Sequence, residues 1–86
     1  MDEIVKFYSD GCVGCKALLP IVEQLKKDYP QINFSEINID EQPEKVDEFE
    51  VTTLPTLVFL KGGKEVGRLA GLKPKTLIVK KIVEVF

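Results

Sequence analysis

Residues Val5–Pro20, VKFYSDGCVGCKALLP, hold both cysteines of an 86-residue chain and join a strand-like run to a helix-like one. Ile4–Tyr8 (IVKFY) is short and mostly apolar, which predicts a buried strand. Asp10-Gly11 breaks it. From Val13 to about Asp28, apolar side chains recur at 15, 18, 19, 22, 25 and 29, the spacing of one helix face. Pro20 lies inside that pattern and predicts a bend rather than an end. Tyr29-Pro30 closes the segment. Cys12 and Cys15 therefore fall at the first turn of a helix that follows a strand.

That placement gives the CVGC stretch a specific chemistry. Residues i and i+3 of a helix lie about 5–6 Å apart, within the range a disulfide spans. Cys12 sits where backbone N–H groups lack partners and the helix dipole is positive. Both features favour a thiolate and place the Cys12 thiol below the free value of about 8.5. A thiolate beside a second thiol is the minimum equipment for thiol–disulfide exchange.

Three other uses compete. A structural staple closing about four residues would stabilise little. Zinc needs four ligands, and with no histidine and no further cysteine the rest would be carboxylates or a second subunit. Inert buried thiols fit poorly with the Gly-flanked turn. A C-x-x-C pair after the first strand of a β-α-β unit favours the redox use.

Further along, Ile32–Ile39 (INFSEINI) alternates as a strand. Asp40 is the expected N-cap of a short helix at roughly 43–49, with Pro43 in its first turn. Thr56–Lys61 and Glu65–Ala70 read as strands joined by Gly62-Gly63, a pair able to take the positive φ angles of a tight hairpin. Pro74 opens a last helix with apolar positions 78, 79, 82, 83 and 86. The order is β-α-β-α-β-β-α. The first β-α-β predicts parallel strands joined by a right-handed crossover. An α/β fold follows, with a four-stranded mixed sheet and helices on both faces.

The length fits one domain, residues 1–86. A net charge of −2 offers no electrostatic reason to bind nucleic acid or an anionic membrane. No apolar run approaches the roughly 20 residues that span a bilayer. The N-terminus, MDEIVKFYSD, lacks the basic and apolar regions of a signal peptide, so a cytoplasmic protein is expected. Charge is uneven along the chain. Glu36–Glu50 holds seven acids and one base, and Lys61–Phe86 holds seven bases and two acids. Two solvated faces explain this; a docking surface for partner proteins is the alternative.

With these segments in hand, the chain resembles the thioredoxin family along essentially its whole length. VKFYSDGCVGCK resembles the family's strand, turn and active-site helix. Pro20 matches its helix-kinking proline, and INIDEQPE its next strand and turn. VTTLPTLVFLKGGKEVGRLAG resembles the region of its cis-proline and hairpin. The resemblance implies a minimal thioredoxin fold and a protein-disulfide reductase acting as an electron carrier. It makes Cys12 the attacking nucleophile, Cys15 the resolving thiol and Pro55 the cis-proline. Gly11, Val13, Leu54, Ala70 and Gly71 would line a shallow substrate groove near Cys12, where an extended segment adds as a strand. No cofactor or metal is implied. The implied partners are protein disulfides and a thioredoxin-reductase-like electron donor, with the chain a monomer. The alternatives are a glutaredoxin-like protein reduced by glutathione and a redox-silent binding module.

The sequence also departs from the family. Gly11 stands where the family usually has Trp, and Val13-Gly14 where it has Gly-Pro. The family's first strand and helix have no counterpart before β-type residues 4–8. The family usually buries an Asp beneath the cysteines and pairs it with a Lys on the next strand. Here those positions hold Lys6 and Glu36, with both signs exchanged. Burying one charge alone costs several kcal/mol, so Lys6 and Glu36 are expected to pair beneath Cys15, with Glu36 accepting its proton. Outward snorkelling of Lys6 is the alternative.

Overall fold

The computed structural model describes residues 1–86. Its elements follow the expected order: β1 (Asp2–Tyr8), α1 (Val13–Asp28), β2 (Asn33–Asn38), α2 (Pro43–Glu48), β3 (Thr56–Lys61), β4 (Lys64–Ala70) and α3 (Lys75–Val85). The strands form one sheet in the order β2-β1-β3-β4. β1 is parallel to β2, and β3 is antiparallel to β1 and β4. A helix between β1 and β2 returns the chain to the same end of the sheet, which makes that pair parallel. The Gly62-Gly63 turn, with φ of 58° and 82°, instead reverses the chain at once.

Alternation along β1 divides the core. Ile4 faces α1 and α3, where Leu18, Leu25, Ile78 and Ile82 meet Leu57 and Phe59 of β3. Val5 and Phe7 face the other way, against Val51, Val58 and Leu60. The half-buried Val46 and Phe49, at α2 and its end, cover that second cluster, and Phe7 and Phe49 have ring centroids 5.4 Å apart. Helices therefore cover both faces, two on one and one on the other. β3 is central and buried from Thr56 to Leu60, as a nearly unbroken apolar run predicts.

Two local expectations change, and one strand carries an irregularity. The N-cap of α2 is Gln42, not Asp40. The Asn38 side-chain oxygen accepts the Asp40 N–H at 2.9 Å, and its backbone oxygen accepts from Glu41 and Gln42. This Asx-type turn occupies the residues before Pro43 and delays the helix. Leu19 and Val83 have helical spacing but are 46 % and 73 % exposed. The buried stripes of α1 and α3 are narrower than their apolar patterns. β4 also carries a bulge: Phe59 pairs with Gly67 and Leu60 with Glu65, leaving Val66 as the extra residue.

Candidate active site

Cys12 is the N-cap of α1, with extended dihedrals of φ −86° and ψ 111°. Its Sγ accepts the Cys15 N–H at 3.1 Å, where an N-cap oxygen would ordinarily sit. One donor left over at the helix start is thus aimed at sulfur. Cys12 and Cys15 form a disulfide with their Cα atoms 5.2 Å apart, inside the range the spacing predicts. The two cysteines differ in access. Cys12 is half-buried, whereas Cys15 is 3 % exposed, on the side of α1 that faces the sheet.

Pro55 is buried and follows a cis peptide bond from Leu54. Its carbonyl accepts the Gly71 N–H at 2.7 Å, which ties the entry of β3 to the exit of β4. The cysteine turn packs directly on it. A Cβ placed on Gly14 would lie 3.3 Å from Pro55 Cδ and 3.8 Å from Leu72 Cβ, so glycine permits this close approach. Residues distant in sequence thereby meet at the start of α1.

Around this junction Val13 is 82 % exposed, Gly11 and Ala70 are exposed, and Leu54 and Gly71 are half-buried. Sequence reasoning missed Leu72. It is about half exposed and, with Ala17, Ile21 and Pro74, lines an open depression beside the junction. Leu72 lies in a loop and belongs to no periodic pattern. The only sequence signal was an apolar residue directly after Gly71.

Lys6 and Glu36 are brought together by the parallel register of β1 and β2, which sets them opposite each other. Lys6 Nζ lies 3.3 Å from Glu36 Oε2 and 5.4 Å from the centroid of the Tyr8 ring. The Lys6 side chain is 5 % exposed and that of Glu36 is 57 % exposed. The cation is buried and its carboxylate partner reaches solvent, so Lys6 does not snorkel. Both residues border a cavity of about 190 Å³ that Cys15 also lines, together with Tyr8, Asp10 and Lys16. Asp10 and Lys16 were not foreseen at this site; each flanks the cysteine turn. The arrangement offers one reachable sulfur, one covered sulfur and an ion pair bordering the same space as the covered one.

Comparison with known proteins bears on the family and the fold. The family model described as Thioredoxin matches residues 1–84. The chain is 39 % identical over 75 residues to a thioredoxin of Chlamydia pneumoniae, spanning 87 % of the chain and 74 % of that protein. It is 35 % identical over 74 residues to thioredoxin-1 of Saccharomyces cerevisiae, spanning 86 % of the chain and 72 % of the relative. The solved structure of Fasciola hepatica thioredoxin superposes with a TM-score of 0.92 at 33 % identity, covering 99 % of the chain and 81 % of that structure.

Proposed function

The chain belongs to the thioredoxin family and is a thiol–disulfide oxidoreductase, and we propose that it reduces protein disulfides with Cys12 as nucleophile and Cys15 as resolving thiol. The Cys12 thiolate attacks one sulfur of a substrate disulfide. A Cys12–substrate bond forms, and the other substrate sulfur leaves as thiolate and takes a proton. Cys15, deprotonated, then attacks the Cys12 sulfur. The Cys12–Cys15 bond forms and the second substrate sulfur leaves reduced. Two electrons have passed to the substrate, and an external dithiol or reductase must restore the pair.

The observation that carries this reading is the unequal burial of the two cysteines, one at the N-cap of α1 and one within its first turn. An incoming disulfide meets Cys12 first, where the Cys15 N–H and the helix dipole favour negative sulfur. The rim of exposed Val13, Ala70 and Gly11 and half-buried Leu54 and Gly71 serves as the groove for an extended substrate segment beside Pro55. No helix is long and apolar enough to cross a membrane. A monomer working in the cytoplasm with a thioredoxin-reductase-like donor fits this chemistry, because glutathione and thioredoxin systems keep that compartment reducing. The test follows insulin disulfide reduction with each donor separately. Turnover is expected with thioredoxin reductase and NADPH; turnover with glutathione alone would favour the glutaredoxin-like alternative.

Lys6 and Glu36 serve the second step. The cavity they share with Cys15 is large enough for water, which occupies about 30 Å³ per molecule in the liquid, and Asp10, Lys6 and Glu36 on its wall provide polar partners. A proton from Cys15 passes through such water to the Glu36 carboxylate, which opens to solvent, while Lys6 keeps that carboxylate in place. Glu36→Gln should slow resolution of the mixed disulfide about a hundredfold or more, the scale of a lost general base. The first attack should change little. Rapid-mixing measurements of the two phases check this, and equal slowing of both would count against it.

A further inference from the structure

Arg68 has no place in the exchange chemistry, yet it is the most extensively hydrogen-bonded side chain of the molecule. Its guanidinium donates to both Glu65 carboxylate oxygens, at 2.6 Å from Nε and 2.8 Å from Nη2. It also reaches across to the residues just past α2, where Nη2 donates to the Phe49 carbonyl at 2.7 Å and Nη1 to the Glu50 carbonyl at 3.4 Å. A flat fork of donors suits this double task, and a lysine would not.

The bulge in β4 makes the arrangement possible. Residues three apart on a regular strand point to opposite faces. With Val66 as the extra residue, Glu65 pairs with Leu60 and Arg68 with Val58. Leu60 and Val58 both belong to the cluster beneath α2. Glu65 and Arg68 therefore share the α2 face, and the carboxylate holds the guanidinium toward the carbonyls. The Arg68 hydrogen bond keeps the Glu65 carboxyl below its ordinary range, so both groups are charged at neutral pH.

The carbonyls are at a critical bend. Glu50 has φ of 52° and is the one non-glycine residue with positive φ. An L-residue held there is strained and persists only where its surroundings maintain it. Beyond it Val51 is buried, and the chain runs through Thr52 and Thr53 to Leu54-Pro55. The other end of β4 leads to Ala70 and Gly71, whose N–H bonds the Pro55 carbonyl. One side chain thus links the strand carrying one wall of the groove to the bend that aims the other.

We infer that Arg68, held by Glu65 across the β4 bulge, is a positioning residue that sets the Leu54-Pro55 wall of the substrate groove through the Phe49 and Glu50 carbonyls. The inference rests on the proposed groove but not on the roles of the two sulfurs. It predicts a split between large and small substrates. A protein disulfide uses the groove, whereas cystamine needs only the Cys12 sulfur.

The experiment compares wild type, Arg68→Gln, Arg68→Lys and the double variant Arg68→Gln/Glu50→Gly. Insulin and cystamine are the substrates and thioredoxin reductase with NADPH is the donor. Arg68→Gln should raise KM for insulin about fivefold, the scale of one half-solvated charge-assisted hydrogen bond. Its kcat and its rate with cystamine should match wild type. Arg68→Lys should fall on the Arg68→Gln side. Glycine adopts positive φ without a Cβ penalty, so the Glu50→Gly change should recover most of the KM in the Arg68→Gln background. An unchanged KM, an equal loss with insulin and cystamine, or no recovery in the double variant would each overturn the clamp. Failure of wild type to reduce cystamine would instead overturn the assignment of Cys12.

Discussion

Cys12→Ser should abolish turnover of protein disulfides, with a loss of at least about a thousandfold, because thiolate is the attacking species and a serine hydroxyl remains protonated. The helix start that favours sulfur anion cannot compensate. One N–H at 3.1 Å and a helix terminus favour a charge by a few kcal/mol at most. The fold should survive. Cys12 caps α1 through its side chain, and serine is among the better N-cap residues. The lost disulfide closes only about four residues, so chain entropy assigns it about 2 kcal/mol. Circular dichroism like that of wild type, together with a flat insulin-reduction trace, is the expected pair of results. Substantial turnover by this variant would remove Cys12 from the mechanism.

Cys15→Ser should fail differently. The first attack needs only Cys12, so one equivalent of substrate should react at nearly the wild-type rate. The mixed disulfide should then persist, because the side chain placed to displace it no longer carries sulfur. An external thiol would have to attack at the Cys12 sulfur itself, under the bound substrate. Non-reducing gels and intact mass should show a one-to-one adduct that dithiothreitol releases. The same geometry predicts that limited alkylation of the reduced wild-type protein labels Cys12 first, since Cys15 is 3 % exposed. A variant that turns over, or an adduct formed through another residue, would show that Cys15 does not resolve the intermediate.

These expectations depend on features of unequal legibility. The cysteine pair could be placed without coordinates because all its determinants are local. Asp10-Gly11 breaks β1, the 3.6-residue pattern starts at once, and a three-residue spacing sets the sulfur separation. The Gly62-Gly63 hairpin was equally plain, since a tight turn requires positive φ and glycine supplies it. Lys6 and Glu36 were legible only in part. Their burial and pairing follow from the β1–β2 register, and the expectation itself came from family resemblance. The cis geometry at Pro55 has the same origin. Leu72 and the Glu65–Arg68 clamp were missed, because one belongs to a loop and the other to a bulge.

Local chain chemistry was enough to establish the order of elements and to place Cys12 at a helix start, where two-electron exchange is favoured over the competing uses of the pair. Periodicity, turn propensity and helix-end electrostatics act over a few residues, so they can be read in one dimension. Which sulfur is covered, what borders it and how the groove is held were decided only by packing. Lys6 and Glu36 meet through a strand register and border one cavity with Cys15 of α1. Gly14, Pro55 and Leu72 meet through close approach, and Arg68 reaches Phe49 across a bulge. Each of these depends on the distance between residues far apart along the chain, a quantity that exists only once the sheet has closed.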